Sequence, residues 1–184
     1  MLSREQNYSQ LSDEQLATLA RQDSQAFVEI YERYVDKVYS YVFYRIKDEM
    51  EAQDIVSATF MKALNHISGW RARGGGLGAW LLRIARNLTM DSFRRRSRVV
   101  PLADQALVSA AASPEQLALS AAEGEELRRL VEQLPTAQRE VIILKFTIGL
   151  SNRQIAQVTG RSETAVSSLQ YRALQNLKSG VINR

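Results

Sequence analysis

The sequence predicts an all-α fold: two small helical domains joined by a flexible linker. Three observations carry this. Apolar residues recur at three- and four-residue spacing, with no sustained alternation of the kind a strand needs. The three prolines, Pro101, Pro114 and Pro135, fall between the periodic stretches. Five of the nine glycines cluster at Gly69, Gly74, Gly75, Gly76 and Gly78, where a loop interrupts the pattern. The predicted units are 9–97 and 115–182, with a linker at 98–114 that shows no clean helical face.

Taken in order, Ser12 and Gln15 form a capping box for a first helix over about 13–22. A long helix follows from Ser24 to Lys47. Its apolar stripe is Phe27, Ile30, Tyr31, Tyr34, Val35, Val38, Tyr41, Val42 and Ile46. A third helix, Glu51–Asn65, turns Ala52, Ile55, Val56, Thr59, Phe60, Ala63 and Leu64 inward. Beyond the glycine-rich loop, Gly69–Ala79, a fourth helix runs from about 79 to 96 over Leu81, Ile84, Ala85 and Leu88. Ser113, Pro114 and Glu115 supply a helix start for a segment reaching Leu134. Pro135 opens the next helix, Thr136–Phe146, with Val141, Ile142, Leu144 and Ile148 apolar, and Gly149 ends it. Ser151 with Gln154 caps another.

Composition excludes several functions. There is no cysteine, so disulfides and thiolate metal sites are excluded, and with only one histidine, His66, a histidine-based dyad or metal cluster is not expected. No cofactor, metal or catalytic residue is expected. No stretch approaches the roughly 18 apolar residues of a membrane helix, and the start lacks the apolar core of a signal peptide. A cytoplasmic location is expected. Net charge is only +4, but its distribution is uneven. Residues 9–69 hold six basic and ten acidic side chains, whereas 70–98 hold eight basic and one acidic, Asp91. A concentrated basic segment ahead of a mildly basic C-terminal unit suggests two contacts with a polyanion.

Residues 151–169 read as a helix-turn-helix. Ala156 is small where two helices cross, Gly160 permits the positive φ of a tight turn, and Val166 is the branched residue at the seam. With Ser162 as cap, Glu163, Thr164, Ser167, Ser168, Tyr171, Arg172 and Gln175 point outward. Ala165, Val166, Leu169, Ala173, Leu174 and Leu177 point inward. Hydrogen-bonding side chains beside a cation and an aromatic suit base edges and phosphates. Arg153 and Lys145 add phosphate contacts. A helical hairpin in a bundle shares this spacing.

The second constellation lies at 70–96. On a helix, Arg83, Asn87, Met90 and Arg94 form one strip, opposite Ile84, Ala85 and Leu88. A basic strip beside a glycine loop and two tryptophans, Trp70 and Trp80, can receive an unstacked base and its backbone. The loop is not a phosphate-binding P-loop, because no Gly-Lys-Ser/Thr ending comes after it.

Trp80–Leu88 (WLLRIARNL) and Asp91–Arg96 (DSFRRR) resemble region 2 of the extracytoplasmic-function (ECF) sigma factors, small members of the bacterial sigma-70 superfamily. Asp54–Leu64 (DIVSATFMKAL) resembles the preceding segment, which grips the polymerase clamp. Leu134–Phe146 (LPTAQREVIILKF) and the helix-turn-helix resemble region 4. The resemblance implies a non-catalytic factor that binds core RNA polymerase at its β′ clamp and β flap. It also implies recognition of promoter DNA, with melting of the −10 element. The implied −10 contacts are Arg71, Arg73, Trp80, Arg83, Asn87, Arg94 and Arg95. Those at −35 are Arg153, Thr164, Ser167, Ser168, Tyr171 and Arg172. Those to polymerase are Asp54, Ile55, Thr59 and Phe60. An anti-sigma partner is also implied. Two departures stand out: Ser57-Ala58 where many relatives carry Gln-Glu, and Ser167 where a Lys or Arg is frequent. The other reading is a helix-turn-helix regulator with a helical N-terminal sensing domain, which leaves the loop and basic helix without a purpose.

Overall fold

Helix boundaries in this chain are set by polar caps. A computed structural model describes residues 7–72, 74–99 and 118–182, which form helices and turns and, among themselves, no strand. The predicted linker beyond Val99 and the helix start at Ser113-Pro114-Glu115 lie outside the described residues, as does Arg73. The chain divides into two compact units.

In the N-terminal unit, α1 (Asp13–Leu19) opens with the predicted box. Ser12 accepts from the Gln15 amide, and the Gln15 side chain accepts from the Ser12 amide at 2.8 Å. The helix stops three residues short of the expected end, because Asp23 already caps the next one. Asp23 accepts from the Gln25 amide at 2.9 Å and starts α2 (Ser24–Ile46). Lys47, at φ 58°, turns the chain out of α2. Asp48 at once caps α3 (Glu49–His66) by accepting from the Glu51 amide at 2.9 Å. That cap moves the start of α3 two residues upstream of the prediction. A 3₁₀ turn (Ile67–Gly69) leads toward α4 (Gly76–Val99). Gly76 and Gly78, expected in the loop, belong to the helix.

Helices α2, α3 and α4 pack mutually, with α1 against α2. Ile30, Val38, Tyr41 and Val42 meet Ala52, Phe60 and Ala63, and Leu77, Leu81, Leu82 and Ala85 complete the core. Each large side chain among these contributes about 1.5–3 kcal/mol through burial. Among the predicted core residues of α2 and α3, Phe27, Tyr34 and Val35 are half-buried, and two are exposed: Tyr31 is 43% and Leu64 42% exposed. Both sit at the edge of their stripes, and Tyr31 retains an edge-on contact with Phe60 at 4.7 Å between ring centroids. Gly78 marks the closest approach of α4 to α2, since a Cβ there would lie 2.6 Å from Tyr34 Cε1.

Polar bonds fasten the N-terminal segment. The Tyr34 hydroxyl donates to Asp13, and burial together with that bond pushes its ionisation well above the ordinary tyrosine range. Arg33 donates to Glu29 at 2.7 Å and to the carbonyls of Tyr8 and Ser9 at 3.0 and 2.8 Å. The Tyr8 hydroxyl donates to Asp23 at 2.6 Å, which holds that carboxyl below its usual range.

In the C-terminal unit, α5 (Ala118–Gln133) is followed by α6 (Thr136–Ile142). The Arg139 guanidinium donates to the carbonyls of Glu132 and Leu134, so α6 caps the end of α5. The predicted helix to Phe146 changes character at Ile143 and continues as a π-helical turn, Ile143–Thr147. The wider turn buries Ile143 and Leu144 and leaves Phe146 exposed. Gly149, at φ 81°, ends it as expected. Two further helices, α7 (Asn152–Thr159) and α8 (Glu163–Ile182), complete the unit. Gly180 lets α8 approach α5, since a Cβ would lie 2.8 Å from Leu130 Cδ2.

Two outcomes test this packing. Gly78→Ala gains helix propensity but collides with Tyr34, and should destabilise by about 1–3 kcal/mol in thermal unfolding, whereas Gly69→Ala, with nothing within 4 Å, should be close to neutral. The lowered Asp23 value means that its bond with Tyr8 stabilises the fold above the unfolded carboxyl value, about 3.9. That stability is lost as pH falls through the lower folded value. The Tm gap between the unsubstituted protein and Tyr8→Phe should therefore narrow on acidification.

Candidate nucleic-acid interfaces

The helix-turn-helix is built from two caps and one glycine. Ser151 and Gln154 box the start of α7, with bonds of 3.3 and 2.9 Å. Gly160 ends α7 at φ 70°, a conformation that disfavours a side chain. Ser162 then accepts from the Ala165 amide at 3.1 Å and opens α8. Ile155, Ala156, Val166 and Ala173 form the buried seam, as the spacing predicts. Leu169 and Leu177 are half-buried. Leu174 is a correction: Ala173 takes the inward position, and Leu174, a hundred degrees round the helix, is 44% exposed.

The outer face of α8 follows the prediction. Thr164, Ser167, Tyr171, Arg172 and Gln175 are exposed, and Ser168 is half-buried. Thr164, Ser167, Ser168 and Tyr171 fall at i, i+3, i+4 and i+7, so they share one strip. Arg153 is exposed on α7, and Lys145 is half-buried in the π turn. One contact on this face has no signal in the sequence: Asn152 Nδ2 donates to Ser167 Oγ at 3.1 Å, joining the first turn of α7 to the middle of the α8 strip.

In the N-terminal unit, α4 carries the other face. Leu77, Leu81, Leu82, Ala85, Thr89 and Ser92 turn inward, and Thr89 spends its hydroxyl on the Ala85 carbonyl at 2.9 Å. Ile84 and Leu88, expected at the centre of the inner face, are only half-buried because Leu81, Leu82 and Ala85 occupy it. Arg83, Asn87, Arg94 and Arg95 are exposed. Met90 on the same strip is half-buried, with the Arg45 guanidinium 3.4 Å from its sulfur. The tryptophans divide: Trp70 is buried, whereas Trp80 is half-buried at the head of α4. Arg71 is exposed, but its guanidinium also holds the turn through the carbonyls of Ser68 and Trp70, at 3.1 and 2.9 Å.

The basic run that ends α4 is not uniformly available. Arg96 pairs with Glu51 of α3, which also accepts from the Ser92 hydroxyl. Arg94 pairs with Asp91 at 3.0 Å, both largely exposed, an arrangement that contributes little. Arg95 is exposed.

The residues implied to meet polymerase divide by exposure. Asp54 is exposed, but Ile55, Thr59 and Phe60 are 6%, 0% and 5% exposed and belong to the core. They lie on the stripe that meets α2 and α4, and Thr59 donates to the Ile55 carbonyl at 2.7 Å. The outward strip instead reads Met50, Asp54, Ser57, Met61 and Leu64, at i, i+4, i+7, i+11 and i+14. Met50 and Met61 are 80% and 60% exposed. Spacing alone could locate this strip, but its methionines are as apolar as the core residues they alternate with.

Among the described residues, no group of three or more His, Cys, Asp or Glu side chains is placed to hold a metal. No described helix is long and apolar enough to cross a membrane.

Comparison with known proteins agrees with this layout. Residues 30–99 match sigma-70 region 2, and residues 124–177 match sigma-70 region 4. The ECF RNA polymerase sigma factor BldN of Streptomyces coelicolor is 35% identical over 158 residues, covering 84% of this chain and 60% of BldN. The chain therefore spans somewhat under two thirds of that relative. The ECF sigma factor EcfG of Rhodopseudomonas palustris is 35% identical, with 70% of each chain covered. Among solved structures, the sigma factor RpoE of Bartonella quintana, in complex with the anti-sigma factor NepR, superposes with a TM-score of 0.69 at 26% identity, covering 84% of this chain and 96% of RpoE. CnrH, in complex with the cytosolic domain of CnrY, gives 0.67 at 25% identity, covering 93% and 97%. With both regions present in order, and with relatives matched across both, the chain belongs to the ECF sigma factors of the sigma-70 family.

Proposed function

We propose that this protein binds core RNA polymerase, directs it to promoters through their −10 and −35 elements, and promotes melting of the −10 element without catalysing a reaction itself. The observation that carries this is the pairing of two separate exposed polar strips, one on α4 and one on α8, in units that match regions 2 and 4. In this reading residues 9–97 serve the −10 element and polymerase, 98–114 link the units, and 115–182 serve the −35 element.

Each surface has a distinct task. On α8, Thr164, Ser167, Ser168 and Tyr171 face base edges, while Arg172 and Arg153 take phosphates. At the head of α4, exposed Arg83 and half-buried Trp80 receive an unstacked base, and Arg71 and Arg73 serve its backbone. Extracting a base costs a few kcal/mol, which stacking and phosphate contacts at Asn87, Arg94 and Arg95 must offset. The β′ clamp meets the outer face of α3, with Asp54 supplying charge between exposed Met50 and Met61. Ile55, Thr59 and Phe60 support that face from beneath. The β flap meets the C-terminal unit. The solved complexes of RpoE with NepR and CnrH with CnrY support an anti-sigma partner for this chain as well. The site of action is the bacterial cytoplasm, where polymerase and chromosome lie.

Co-purification with core polymerase is expected, with transcription from a −35/−10 promoter only when both are present. Tight operator binding by the protein alone, with no polymerase association, would overturn the reading in favour of a helix-turn-helix regulator. Asp54→Ala should weaken core binding severalfold and leave promoter preference unchanged; unchanged core affinity removes Asp54 from the contact. Arg172→Ala should weaken −35 duplex binding by about three- to tenfold with polymerase association intact, measured by promoter binding of the reconstituted holoenzyme.

A further inference from the structure

We propose that Asn152 biases the hydrogen bonding of Ser167, so that α8 offers its proton more readily than a lone pair to the base edge that Ser167 meets. The proposal rests on the −35 reading above and deepens it from a contact to a base preference.

A serine hydroxyl carries one proton and two lone pairs, and it rotates to suit its surroundings. Alone on the outer face of a helix, it would donate to one base and accept from another, and so would discriminate poorly. Ser167 is not alone. Asn152 Nδ2 donates to its oxygen at 3.1 Å and occupies a lone pair from the protein side. Ser167 makes no other hydrogen bond among the described residues. The carbonyl of Glu163, four residues back, therefore does not take its proton, although helical serines often bond there. The proton is left for whatever approaches the exposed face.

Asn152 is held in this orientation. It is the first residue of α7, next to the Ser151 cap, and its Oδ1 is buried without a hydrogen-bond partner. Turning the amide over would bury two donors in place of one acceptor, and orphaned donors are the rarer and costlier case. It would also set the amide oxygen against the serine oxygen unless the serine turned its own proton inward.

In the major groove, guanine N7 and O6, adenine N7 and thymine O4 accept hydrogen bonds, whereas cytosine presents only its N4 donor. With one lone pair filled and its proton unmet, Ser167 favours the first group over cytosine on the strand it faces. Asn152 is thus a positioning residue for specificity, acting through Ser167.

The polarity can be inverted by one substitution. In Asn152→Asp, the carboxylate accepts the Ser167 proton and leaves the serine lone pairs facing outward. An acid in the first turn of α7 also suits the helix dipole. The test is transcription by the holoenzyme, reconstituted with core polymerase, from a promoter library randomised across the −35 element. With the unsubstituted protein, cytosine should be depleted about fivefold at one position, and Ser167→Ala should flatten that position alone. Asn152→Asp should shift that same position toward cytosine and leave the others unchanged. Added repulsion from phosphates lowers total output but does not sort bases. Identical base profiles for Asn152→Asp and the unsubstituted protein overturn the proposal while leaving −35 recognition standing. So does cytosine enrichment at the Ser167-dependent position of the unsubstituted protein. Absence of any −35 preference in the unsubstituted protein overturns both. Thermal melting of each variant accompanies the assay, and a lowered Tm with an unchanged profile counts against the proposal.

Discussion

The N-terminal unit is organised around the wedge of Tyr34 between two helices. Its ring lies where Gly78 brings α4 against α2, and its hydroxyl bonds to Asp13 of α1. One side chain of α2 thereby sets the separation of α4 and fixes α1. Neither partner is replaceable by a generic apolar contact. A larger residue at 78 has no room, and the half-buried phenol benefits from an acceptor because an unmet hydroxyl out of water is costly. The exposed strip of α4 depends on this, since the direction of Arg83, Asn87 and Arg95 is set by how the opposite face is seated.

The C-terminal unit obeys the same logic with different means. Two of its helices, α6 and α7, are only 7 and 8 residues long, and ends dominate short helices. Arg139 closes α5, Ser151 opens α7, Gly160 turns, and Ser162 opens α8. The seam itself is small: Ile155, Ala156, Val166 and Ala173. Caps contribute roughly 1 kcal/mol each, so several of them weigh heavily beside a seam of that size. The outer face of α8 is correspondingly free of structural duty, apart from the bond between Asn152 and Ser167.

The helical period, both capping boxes, the turn glycines at 149 and 160 and the outward set on α8 are legible in the sequence, because each depends on local chemistry. The features that escape it have non-local causes. Gly78 reads as loop because a glycine required by a ring from another helix is indistinguishable from one required by a turn. Asp48 does not stand out as a cap because only the left-handed Lys47 makes room for it. Ile55, Thr59 and Phe60 read as core by spacing and as partner contacts by resemblance, because a motif marks residues without marking their side of the helix. The burial observed follows the spacing. The π turn after Ile142 has no signature in the residues that form it.

The tie between Glu51 and Arg96 carries one consequence for ionic strength. Three consecutive arginines, Arg94 to Arg96, suggest a block of charge that would displace three condensed counterions from a nucleic acid. Arg96 is already neutralised by an acid from α3, held beside the Ser92 hydroxyl. A phosphate chain meeting this end of α4 would release fewer ions than the sequence implies, and its binding would decline less steeply with added salt. Under the proposed −10 role, the charge that α4 offers a phosphate chain is thus smaller than its composition implies, and shape and stacking around Trp80 would carry more of the discrimination.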